Sequence, residues 1–183
     1  MSKRSNIRQN MGSVSHGTMR AEDLIPCFLS ELEGQRPLRR AHVKLAREIR
    51  ERMESFTPHV HDADCRQTGL DGAESSWSCG LNQDAESYFG TDDADYDLEA
   101  LFDALNEYCL PYFSFGAHPG DGSDYGYWLS EGFSDDEFDG LKVSDTSEVP
   151  RGFTGEVLHV NDHGNCTLYS YSRGRSREVW AVV

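Results

Sequence analysis

Residues 156–183 read EVLHV, NDHGN, CTLYSY, SRGRS and REVWAVV, and this alternation decides the fold. The runs 156–160, 166–171 and 178–183 are rich in β-branched and aromatic residues, as strands are. Between them, 161–165 and 172–176 carry the Gly, Asn, Asp and Ser that favour tight turns. Three strands joined by two turns read as an antiparallel meander. Working back toward the N-terminus, 112–117 and 125–129 are two more strand-like runs, on either side of Pro119-Gly-Asp-Gly122.

Further upstream the period changes from two to about three and a half. Leu38, Ala41, Leu45, Ile49 and Met53 recur at helical steps and mark an amphipathic helix. Its other face holds Arg39, Arg40, Lys44, Arg47, Arg50 and Arg52, interrupted by Glu48, Glu51 and Glu54 at pairing distance. That interruption favours a salt-bridged, solvated face over a DNA-gripping one. Before it, Phe28, Leu29 and Leu32 supply the apolar face of a helix with Pro26 at its first position and Gly34 at its end. A third helix carries Leu98, Leu101, Phe102, Leu105 and Tyr108, with Asp95 or Asp97 as its cap and Pro111 beyond its end. The expected class is α+β, with about three N-terminal helices packed on a C-terminal antiparallel meander sheet. Residues 1–17 are expected to be a flexible basic arm, and 18–183 one domain with an irregular acidic loop around 57–95.

The 183 residues carry 17 Lys+Arg against 32 Asp+Glu, a formal charge of -15. The imbalance is local: residues 62–148 hold 22 acids and only Arg66 and Lys142 as bases. A surface of this sign disfavours direct contact with nucleic acid or an anionic membrane and favours basic partners. No run approaches a membrane span and no secretory signal is visible, so a cytoplasmic location is expected. Five cysteines without a CxxC suit a reducing compartment better than a disulfide scaffold.

Three groups of residues could carry chemistry. His118, Asp121 and Asp124 stand in a Gly-rich segment ending at Trp128, and with His163 they offer acid, base and cation-binding groups to a hydrolase or metal-dependent enzyme. The same segment is an ordinary hairpin turn, and no motif supplies a matching nucleophile. His59, His61, Cys65 and Cys79 are zinc-binding types at a spacing that matches no structural zinc pattern, so no metal or cofactor is expected. The acids form the third group. Asp92, Asp93, Asp95, Asp97 and Glu99 run into a helix, and Asp135, Asp136, Glu137 and Asp139 follow Phe133. Spaced carboxylates on a scaffold imitate nucleic-acid phosphates and can occupy a basic channel, with nearby aromatics as anchors.

The words Gly17-Thr-Met-Arg20, Asp23-Leu-Ile-Pro26, Leu101-Phe-Asp-Ala-Leu-Asn-Glu107, Phe115-Gly-Ala-His-Pro-Gly-Asp-Gly122, Tyr125-Gly-Tyr-Trp128 and Val160-Asn-Asp-His-Gly-Asn165 extend over most of 17–171. In them the chain resembles small acidic accessory proteins encoded by bacteriophages and prophages. The resemblance implies a viral context and transfers no catalytic residue. Acidic phage proteins include inhibitors of restriction and of CRISPR complexes, some acting as DNA mimics. The expected function is therefore a non-enzymatic inhibitor of a host nucleic-acid-handling protein; the enzyme built on His118 and a homo-oligomeric interaction module are the alternatives.

Overall fold

In the computed structural model, residues 10–57, 66–67, 76–77, 87–130, 133 and 138–182 are described. They form an α+β structure in two compact units, one within 1–109 and 113–128, the other from 110–112 and 129–183.

The first unit contains β1 (Gly12–Ser15), α1 (Ala21–Gly34), α2 (Arg40–Ser55), the short antiparallel pair β2 (Arg66–Gln67) and β3 (Ser76–Trp77), and α3 (Asp92–Asn106). It is completed by β4 (Phe113–His118) and β5 (Asp121–Leu129), and the sheet order is β1-β5-β4. The core follows from the phase of the helices. Leu24, Ile25, Phe28, Leu29 and Leu32 of α1 are buried with Ile49 of α2, Leu101 and Leu105 of α3, and Phe115 and Tyr127 of the sheet. Phe28 is fully buried, with edge-on rings of Phe102, Phe115 and Tyr125 centred 5.0–5.9 Å away. Such pairs add to the burial of a large side chain, so this ring is the centre of the unit. A buried polar chain runs beside it: Asn10 donates to Gln35, which donates to Glu31, while the Tyr127 hydroxyl accepts from Gln35.

The second unit contains β6 (Leu141–Val143), β7 (Gly155–Val160), β8 (Cys166–Ser172) and β9 (Arg175–Val182) in the order β6-β7-β8-β9. Leu158, Leu168 and Trp180 are cross-strand neighbours on one face, all buried. Phe133 packs on Trp180, and the Trp180 indole donates to the Pro111 carbonyl at 3.0 Å.

Several expectations are corrected. The helices are not all N-terminal to the strands, because β1 precedes α1 and pairs antiparallel with β5. The C-terminal sheet is not a plain meander: β7, β8 and β9 are antiparallel neighbours, but β6 joins β7 in parallel. Residues 10–15, read as part of an arm, are seated. Asn10 is buried, Val14 packs on the core, and β1 lies so close to Gly126 that a Cβ there would stand 2.8 Å from the Ser13 Cα. Pro26 is interior to α1 rather than at its start. One backbone bond is lost there, and the buried residues on both sides of it keep the helix in place. The acidic segment is helical from Asp92, with a 3-10 turn at Tyr88–Gly90 before it.

Candidate functional site: the acidic face of α3

Thr91 is the cap of α3. Its hydroxyl oxygen accepts the Ala94 N–H at 3.2 Å while its O–H donates to the Tyr88 carbonyl at 2.7 Å. The cap is thus not Asp95 or Asp97, and the first turn instead gathers Asp92, Asp93 and Asp95 at the positive end of the helix dipole. From this start the 3.6-residue period sorts the acids. Ala94, Asp97, Leu101, Ala104 and Leu105 fall on the buried side. Asp92, Asp95, Glu99 and Asp103 fall on the outward side around Tyr96, which is 69% exposed. No described residue makes an ion pair or hydrogen bond with these four carboxylates. α3 holds six acids and no base.

Asp97 is the exception among the expected binding acids. It is buried, its two oxygens accept the Arg52 guanidinium in a forked pair, and it also accepts the Tyr88 hydroxyl. Burial, and then this carboxylate, push the Tyr88 hydroxyl far above its ordinary value, so the phenol stays a donor. Asp97 holds α2, α3 and the 3-10 turn together and offers nothing to a partner. Asp135, Asp136 and Glu137 lie outside the described residues. Asp139 is exposed in the second unit. The hydroxyl of Tyr112, bonded to Glu156 and near the Asp139 charge, is pushed up to about 12.

The basic face of α2 is largely internally neutralised. Lys44 pairs with Glu48, Arg47 with Glu51, Arg50 with Glu33 and Arg52 with Asp97. An open groove of 450 Å³ floored by Leu38, Val43 and Ala46 runs beside the Arg50–Glu33 pair. It has no convergent set of unpaired polar groups.

The residues of the alternative active site serve their own turn. His118 Nδ1 accepts the Gly120 N–H at 3.0 Å, and its ring stands edge-on to Trp128. Asp121 accepts from the Ser123 N–H and hydroxyl, which hold its carboxyl below the usual range. Asp124 accepts from the Ser13 hydroxyl at 2.6 Å. His163 lies in the β7–β8 turn of the other unit, its N–H bonded to Asn161. Among the described residues no three His, Cys, Asp or Glu side chains are grouped to hold a metal. His59, His61, Cys65 and Cys79 lie outside them. Cys27, Cys109 and Cys166 are half-buried free thiols. Burial raises each, Cys109 to about 11, which opposes use as a nucleophile.

No protein family, curated protein or solved structure matches this chain. No helix among the described residues is long and apolar enough to cross a membrane.

Proposed function

We propose that this is a non-enzymatic accessory protein that lays the acidic face of α3 on a basic surface of a host nucleic-acid-handling protein and blocks it. The observation that supports this reading is the one-sided row Asp92, Asp95, Glu99 and Asp103 around exposed Tyr96, with no internal counter-charge among the described residues. Carboxylates three or four residues apart stand about 4.5–6 Å apart along the helix axis, so the face presents a regular row of negative charge of the kind a basic channel attracts. Long-range attraction would speed encounter, and Tyr96 would supply a partly apolar anchor. The resemblance to phage accessory proteins makes a restriction enzyme or a CRISPR surveillance complex in the host cytoplasm the class of target. Asp135, Asp136, Glu137 and Asp139 are proposed, on their sequence alone, as a further run of partner-binding acids.

Immobilised protein, exposed to lysate of a bacterial host, is expected to retain a DNA- or RNA-handling protein at low salt. High salt or added duplex DNA should release it. The combined variant Asp95→Asn/Glu99→Gln/Asp103→Asn should lose that capture while keeping its circular dichroism spectrum. Capture by the variant equal to that of the wild type, or no displacement by DNA, would overturn the proposal.

A further inference from the structure

The second unit carries a surface of the opposite sign. β8 and β9 pair with Ser170 opposite Arg177 and Ser172 opposite Arg175, so these four side chains share one face of the hairpin. Tyr169 and Tyr171 lie on the other face. The turn between the strands is Arg173-Gly174, with φ of 52° and 74°. Two positive-φ residues make the tight turn that matches strand twist, and its first position is one that Asn, Asp or Gly fills without strain. Here it is an arginine, held in a backbone conformation that an L side chain adopts only with strain. Arg173, Arg175 and Arg177 are all exposed, and no described residue pairs with any of them.

We propose that this arginine face docks on the acidic face of α3 of a second copy of the chain, joining copies head to tail. Alternate residues of a strand are separated by about 6.7 Å and helical residues four apart by about 6.0 Å, so Arg175 and Arg177 match Asp95 and Glu99, or Glu99 and Asp103. Arg173 at the tip reaches the exposed ring of Tyr96, where a guanidinium gains a cation–π contact. The cations of α2 are the poorer candidate, because acids of the same chain already pair with most of them. Each copy carries one of each surface, so the contact is heterologous and continues into larger assemblies or a closed ring. Assembly would cover the face offered to a host target, which goes beyond the function proposed above and needs no host component to test.

Sedimentation of the purified full chain at low salt should give a mass well above 20.6 kDa, returning to 20.6 kDa at high salt. The variants Arg175→Ser/Arg177→Ser and Asp95→Asn/Glu99→Gln each lack one surface, and each alone should sediment as a single chain at low salt. Mixed in equal amounts they should form a one-to-one pair and nothing larger, because only one of the two contacts remains possible. A wild-type chain that stays at 20.6 kDa at low salt overturns the proposal, as do assemblies that survive either variant. A hairpin that binds single-stranded DNA while the chain remains monomeric also overturns it, by assigning the arginines to a nucleic acid instead.

Discussion

His42 stands where α2 begins and α3 ends, with Nδ1 2.8 Å from the Tyr108 hydroxyl and Nε2 3.7 Å from the Glu107 carboxylate. The Tyr108 oxygen also accepts the Arg39 N–H, and a neutral His42 ring would accept the Tyr108 proton at Nδ1. Burial, and then the Arg39 charge, lower the His42 pKa from its ordinary value. As pH falls below about 6.5, the unfolded chain therefore takes up a proton that the folded chain still refuses, and stability drops through that window. The wild-type urea midpoint should fall between pH 7 and pH 5 more than that of His42→Asn, which keeps an acceptor for Tyr108 and cannot titrate. Parallel profiles would show that Glu107 offsets the penalty. Single residues also mark the limit of reading by charge. Asp97 belongs with its acidic neighbours in sequence, yet its helical phase with Ala94, Leu101 and Leu105 was a visible sign of burial. A carboxylate on an apolar stripe needs a partner. Phase could reveal the need, but it could not name Arg52, 45 residues away.

Along α3 the same charge has opposite energetic signs at its two ends. Asp92 stands in the first turn, at the positive end of the dipole, whereas Asp103 stands in the last turn, which holds no basic residue. Asp103 also faces Glu99 one turn earlier, a like-charge pair that costs a few tenths of a kcal/mol. Asp103→Asn should therefore stabilise the protein by about 0.5 kcal/mol and Asp92→Asn destabilise it by a similar amount. Chemical denaturation of the two variants checks this; equal signs would mean that the local field, not the dipole, governs the helix. Periodicity was informative where an element buries one face. It located α2, α3 and the strands β7 to β9 within a few residues. It failed where tertiary packing overrides local chemistry: Pro26 stays inside α1 because Leu24, Ile25, Phe28 and Leu29 are buried around it. β1 was invisible because Gly12-Ser-Val-Ser15 has little strand character of its own and is held by its place along β5.

At the scale of the molecule, the question is whether pairing or repulsion dominates the electrostatics. The exposed pairs Lys44–Glu48, Arg47–Glu51 and Arg50–Glu33 each contribute at most about 1 kcal/mol, and salt weakens them. Against them stands a formal charge of -15, with 22 acids and two bases between residues 62 and 148. Salt screens that repulsion in the compact state more than in the expanded chain, where the charges are further apart. The second effect wins, because the pairs are few and the excess acids many. At protein concentrations low enough to keep the chain a single copy at every salt, the melting temperature should rise from low to physiological salt, and the rise should shrink in Asp95→Asn/Glu99→Gln/Asp103→Asn, which removes three of the unpaired carboxylates. In low salt that variant should melt above the wild type while losing the proposed partner, since the carboxylates that favour a basic surface are those the isolated fold holds at a cost. A wild-type melting temperature that falls with added salt would show that internal ion pairs dominate, and would remove the physical reason for treating the α3 face as a surface awaiting its counter-charge.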